Sequence, residues 1–206
     1  MQADRIPLFP LNVVLLPGEQ LPLHIFELRY RQMVRECLDE QTFFGLLLAL
    51  PNGVVRVGCT AEILEVIKTY EDGRMDIITV GREPFRVLEL DTKEPLLHGE
   101  VDYLEEYDLA PDSAKQNQLI ELYETCHTLL YSSLPKCLER LPEERLSYTI
   151  ASTLPLELLC KQQILELRSE TDRQERLMTY LREWAPHLQK NEVLRHRAGG
   201  NGRGLN

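Results

Sequence analysis

The sequence predicts an α+β protein: a β-rich part over 1–111 with one inserted helix, a helical bundle over 112–197, and a flexible tail over 198–206. Three observations carry this. Up to Pro111 the apolar residues fall in short runs rich in Val, Ile and aromatics, bounded by Gly, Pro or Asp, as strands are. After that point they recur at the helical period of about 3.6. The charge changes there as well: 1–111 holds 20 acidic and 10 basic residues, the remainder 13 of each, so the net −10 lies in the first part.

The strand runs are 20–24, 43–50, 54–58, 62–69, 75–80, 85–90 and 96–104. Asp72-Gly73 separates two of them, and both residue types tolerate positive φ, so a hairpin is expected there. Gly53 and Gly81 punctuate others. Phe26, Tyr30, Met33, Val34, Cys37 and Leu38 recur at helical spacing, which predicts the inserted helix. Beyond Asp112 one stripe runs through Leu119, Leu122, Tyr123, Cys126, Leu129 and Leu130. A less regular one uses Leu156, Leu159, Ile164 and Leu167, and the cleanest uses Leu177, Leu181, Trp184 and Leu188. Pro135, Pro142 and Pro155 separate these helices, each lacking a backbone donor. Thr171 and Gln174 have capping-box spacing for the last helix, which Pro186 is expected to end or kink.

Composition excludes several classes. The longest apolar run, 43–50, is far short of the ~20 residues that cross a bilayer, so no membrane span is expected. The N-terminal stretch is broken by Pro7, Pro10, Asn12 and Pro17 and does not read as a secretory signal, which makes a cytoplasmic protein the expectation. The cysteines, Cys37, Cys59, Cys126, Cys137 and Cys160, include no C-x-x-C pair and read as reduced, mostly buried thiols. Nucleic-acid binding needs clustered Lys and Arg to displace counterions, and the acidic first part argues against it.

No catalytic constellation stands out. Ser133 and Lys136 have the spacing of a Ser/Lys dyad, but Pro135 lies between them and the accompanying motifs are missing, so the match reads as a loop coincidence. No glycine precedes a lysine as a Walker A loop requires, and the five histidines are too widely spaced to pair at i, i+4 on zinc. Cys126 and His127 diverge on a helix and read as a buried thiol beside a surface imidazole. Arg29 and Tyr30 admit two readings. Either Tyr30 packs while Arg29 pairs with an acid such as Glu27 or with a strand carbonyl, or the strand before them exposes a groove for an extended peptide. The sequence does not separate the two.

The opening Ile6-Pro-Leu-Phe-Pro-Leu-Asn-Val-Val-Leu-Leu-Pro-Gly18 and the following Leu21-Pro-Leu-His-Ile-Phe-Glu-Leu-Arg-Tyr-Arg-Gln-Met33 resemble the N-terminal domain of the Lon protease family. Gly58-Cys-Thr-Ala-Glu-Ile63, Asp72-Gly73 and Gly81-Arg-Glu-Pro-Phe-Arg-Val87 fall where that family places its next strands, and Leu154-Pro-Leu-Glu-Leu158 through Glu175-Arg-Leu177 resembles its helical half. Leu28 stands where the family commonly has proline. The resemblance implies a PUA-like, twisted β-barrel subdomain followed by a helical bundle, and a substrate-recognition role without an ATPase or peptidase domain. It implies no catalytic residue, cofactor or metal. The expected partner is an unfolded polypeptide or partner protein, with no nucleic acid and no membrane. A small-molecule enzyme with a site assembled from distant residues such as His24, Arg29 and Arg82, and a PUA-like RNA-binding module, are the alternatives. Because the resemblance gathers them in one β subdomain, the candidate peptide-binding residues are Leu21, Leu23, His24, Ile25, Phe26, Arg29, Tyr30, Gly81, Arg82 and Phe85.

Overall fold

The computed structural model describes residues 4–107, 113–135 and 145–200. Six strands form one mixed sheet: β1 (Asp4–Leu11), β2 (Gln20–Ile25), β3 (Phe44–Leu50), β4 (Gly53–Thr69), β5 (Met75–Asp91) and β6 (Leu97–Tyr103). The spatial order is β2-β5-β4-β3-β1-β6, and β6 also pairs with β5. The helices are α1 (Leu28–Asp39), α2 (Ser113–Tyr131), α3 (Leu146–Thr153), α4 (Leu158–Glu166) and α5 (Glu170–Gly200), which makes the fold α+β.

Four of the expected runs join into two long strands. The runs 54–58 and 62–69 are one strand, β4, and 75–80 and 85–90 are one strand, β5. Register shifts at Cys59/Ala61, Ile63/Glu65 and Val66/Lys68 bend the ladder between them without breaking it. The first half of β5 therefore pairs with β2, and its second half pairs with β6. The opening residues, not among the expected runs, form β1, parallel to β3 and antiparallel to β6. Its Pro7 and Pro10 hide it from a propensity reading.

Glycines in these strands make room for a ring instead of ending the strand. A Cβ on Gly45 of β3 would stand 2.6 Å from Phe85 Cζ, and one on Gly58 of β4 would stand 2.9 Å from the same atom. Phe85 fills that space, fully buried with Ile6, Leu8, Leu47, Val87 and Val101.

Helix α1 begins two residues later than its apolar stripe suggests, so Phe26 lies outside it and is 62% exposed. Tyr30, Met33, Val34 and Cys37 form its buried face. Gln41 takes φ 53 just past the end, and Thr42 N–H donates to Cys37 O at 2.9 Å, the closure of a Schellman cap.

Two compact units are distinguished. The first holds the sheet, α1 and the segment Pro155–Arg168 with α4. The sequence reading grouped that segment with the later helices. Its polar anchors decide otherwise: Gln162 Nε2 donates to Val57 O at 3.0 Å, and Lys161 Nζ pairs with Glu19 Oε1 at 2.8 Å. Leu159 is exposed, and Cys160 is buried instead.

The second unit contains α2, α3 and α5. Leu119, Tyr123 and Cys126 of α2 and Leu177, Leu181 and Leu188 of α5 are buried as their stripes predict. The cap of α5 is Ser169, whose Oγ accepts from Asp172 N–H at 3.2 Å, two residues before the expected Thr171. Pro186 lies inside α5, which runs on to Gly200 and so into the expected tail. Residues 201–206, like Lys136, Cys137 and Pro142, lie outside the described residues. Cys37, Cys59, Cys126 and Cys160 are buried thiols that form no disulfide among the described residues. Among the described residues no helix is long and apolar enough to cross a membrane.

Candidate functional site

Among the described residues β2 is an edge strand that pairs with β5 alone, which leaves its other row of backbone groups without a strand partner. Pro22, which has no amide proton, is tolerated at such an edge. Leu21 and Leu23 are half-buried, standing opposite Thr79 and Ile77. His24 stands opposite Asp76, and Lys68 of β4 stands opposite Asp76 from the other side.

The register assembles a polar cluster around Asp76. His24 Nδ1 lies 2.5 Å from Asp76 Oδ1, and Tyr70 OH donates to Oδ2 at 2.7 Å. The bonds from His24 and then Tyr70 hold the Asp76 carboxyl below the usual range. The same contact raises the Tyr70 phenol, because ionising it would destroy the bond to Asp76 and add a second negative charge beside it. Lys68 Nζ and the Arg74 guanidinium sit over the Tyr70 ring at 4.4 and 5.1 Å, and the His24 ring stacks 6.1 Å from Phe26. Asp76 thereby orients two aromatic rings at an exposed strand end.

The other candidate residues do not form one groove with these. Ile25, Tyr30 and Phe85 are buried core side chains: Tyr30 stacks on Phe9 at 3.9 Å, and Phe85 fills the space above Gly45 and Gly58. Gly81 is buried at a close backbone crossing. Its N–H donates to Glu19 O at 3.0 Å, its O accepts from Gly18 N–H at 2.9 Å, and a Cβ would strike the Leu16 carbonyl. Arg29 is committed to structure, donating through Nε to Glu27 Oε2 and through Nη1 to Pro95 O, both at 3.0 Å. With Tyr30, Pro10 and Pro95 it lines a cavity of about 380 Å³. Arg82 lies elsewhere, paired with Glu62 at the wall of an open cavity of about 530 Å³ that Cys37, Gln41, Thr42 and Phe43 also line. The candidates that remain exposed are His24, Phe26, Arg29 and Arg82, with Leu21 and Leu23 half-covered.

The sequence pattern of the ATP-dependent protease La (LON) substrate-binding domain matches residues 5–183. The chain belongs to that family. This Lon-type substrate-binding domain is similar to Lon protease of Porphyromonas gingivalis, 25% identical over 199 residues that cover 86% of this chain and 23% of that protein. It is 35% identical to protein cereblon of Xenopus tropicalis over 96 residues, 44% of this chain and 21% of the other. The chain spans about a quarter of the length of the curated relatives it matches. A crystal structure of a Lon N-terminal domain protein from Xanthomonas campestris superposes with a TM-score of 0.70 at 26% identity, covering 86% of this chain and 98% of that one.

Within this Lon-type domain, sequence reasoning missed Tyr70, Asp76, Lys68 and Arg74. Part of the set was accessible: a hairpin centred on Asp72 brings Lys68 opposite Asp76. Joining His24 to them requires the β2–β5 register. Among the described residues no group of three or more His, Cys, Asp or Glu is placed to hold a metal ion.

Proposed function

We propose that this chain is a non-catalytic, cytoplasmic recognition module that binds extended or unfolded segments of other proteins along β2. The observation that carries the reading is the unpaired edge of β2, ending in the exposed Phe26 and in Leu28, which is 73% exposed. An extended segment added to a sheet edge gains main-chain hydrogen bonds whatever its sequence, which suits a binder of many unfolded chains. Pro22 shortens the donor row, so apolar contact supplies the rest of the affinity. Membership in a substrate-binding family supports the same reading.

The test is fluorescence anisotropy with a labelled, reduced and alkylated model protein, compared with its native form. Burying a large apolar side chain is worth roughly 1.5–3 kcal/mol, so Phe26→Ser and Leu28→Ser each weaken binding by about tenfold or more. Both residues are exposed, so melting temperatures stay within a few degrees. Equal binding of the native and unfolded forms, or wild-type binding by both variants, refutes the assignment.

A further inference from the structure

Two arginines of α1 converge on the tip of the β4–β5 hairpin, where Asp72 is bonded to Arg74 and also feels the Arg31 charge. Gly73 takes φ +82 in the turn, and its N–H donates to Tyr70 O at 2.8 Å. Arg31 and Arg35, one helical turn apart on α1, both reach this glycine: a Cβ there would overlap the Arg31 guanidinium and stand 3.1 Å from Arg35 Nη2. Two guanidinium groups thus converge on one point, where only the missing side chain gives them room. Arg31 Nε is buried without an acceptor, and neither arginine forms an ion pair or side-chain hydrogen bond among the described residues. The neighbouring acids are engaged: Asp72 takes Arg74 Nε at 2.7 Å, and Asp76 takes His24 and Tyr70.

We infer that Arg31 and Arg35, over Gly73, form a binding site for a carboxylate of an acidic segment in a bound polypeptide. Planar guanidinium forks take an oxoanion through paired, charge-assisted hydrogen bonds, and an anion between two like charges removes their repulsion. The location matches an extended ligand on β2. Ile25 at the end of that strand pairs with Met75, two residues past Gly73, so the end of a segment lying along β2 comes to the same end of the sheet as the two arginines. The inference rests on the polypeptide-binding reading above and adds a charge preference to it.

Two labelled unfolded peptides, identical except that one carries Asp and Glu where the other carries Asn and Gln, separate the inference from that reading. Charge-assisted bonds of this kind predict that the wild type binds the acidic peptide on the order of tenfold more tightly, a preference that shrinks with added salt. Arg35→Gln abolishes the preference with an unchanged circular-dichroism melt, and Arg31→Lys, which keeps the charge but not the fork, loses most of it. Equal binding of the two peptides by the wild type, or a preference intact in both variants, overturns the site and leaves the polypeptide reading standing. Failure of both peptides to bind overturns both. Displacement of the acidic peptide by inorganic phosphate at concentrations where acetate has no effect overturns the carboxylate assignment in favour of a phosphate ligand.

Discussion

Replacing Glu170 by alanine tests whether a buried charge network holds the helical unit. Arg173 is 0% exposed, and its Nη2 lies 2.9 Å from Glu170 Oε2. Ser147 donates to the same carboxylate twice, through Oγ at 2.6 Å and through its backbone N–H at 2.9 Å, and Gln174 Nε2 donates to it at 2.9 Å. Removing the carboxylate takes away the counter-charge that Glu170 supplies to a guanidinium out of reach of water. Breaking such a pair costs about 3–5 kcal/mol, and an unsatisfied buried amide adds about 1–3 kcal/mol. At about 2–4 °C per kcal/mol for a chain of this size, the midpoint falls by roughly 8 °C or more. The assay is thermal and urea unfolding followed by far-ultraviolet circular dichroism on Glu170→Ala, Arg173→Met and Glu170→Leu with Arg173→Met. The double variant loses less than either single one, because no isolated charge remains buried. Single variants within about 1 kcal/mol of wild type, the range of exposed ion pairs, refute the reasoning.

Gly58→Ala places a methyl against the Leu46 carbonyl and the Phe85 ring, so the overpacked strand loses about 1–3 kcal/mol, and an unchanged urea midpoint contradicts this. Burial pushes the Cys126 thiol up to about 11, and since the thiolate is the nucleophile, iodoacetamide at pH 8 leaves Cys126 unlabelled in the native protein and labels it in urea. Native labelling found by peptide mapping refutes that burial. Asp76, held low by His24 and Tyr70, contributes stability that is present above the ordinary aspartate value of about 3.9 and is lost as pH falls through its lower folded value. His24→Ala removes the first cause, so a carbon-13 carboxyl titration by NMR moves Asp76 upward, and an unmoved titration assigns the shift elsewhere.

Period and punctuation are local quantities, and what depended on them was legible in the sequence. The α+β class, the stripe of α1 through Tyr30, Met33, Val34 and Cys37, and the hairpin at Asp72-Gly73 each follow from side chains a few residues apart. Gly81 was legible as punctuation but not in its meaning, because it, like Gly45 and Gly58, is needed for what approaches it from elsewhere in the chain. Tertiary structure alone decided which members of one apolar segment face outward: Ile25 is buried and Phe26 is exposed, because β2 ends between them and α1 begins only at Leu28. It alone joined His24 to Asp76, 52 positions away, through the β2–β5 register. It also buried Glu170 and Arg173 as a pair, since a helix period states which residues share a face but not what covers that face.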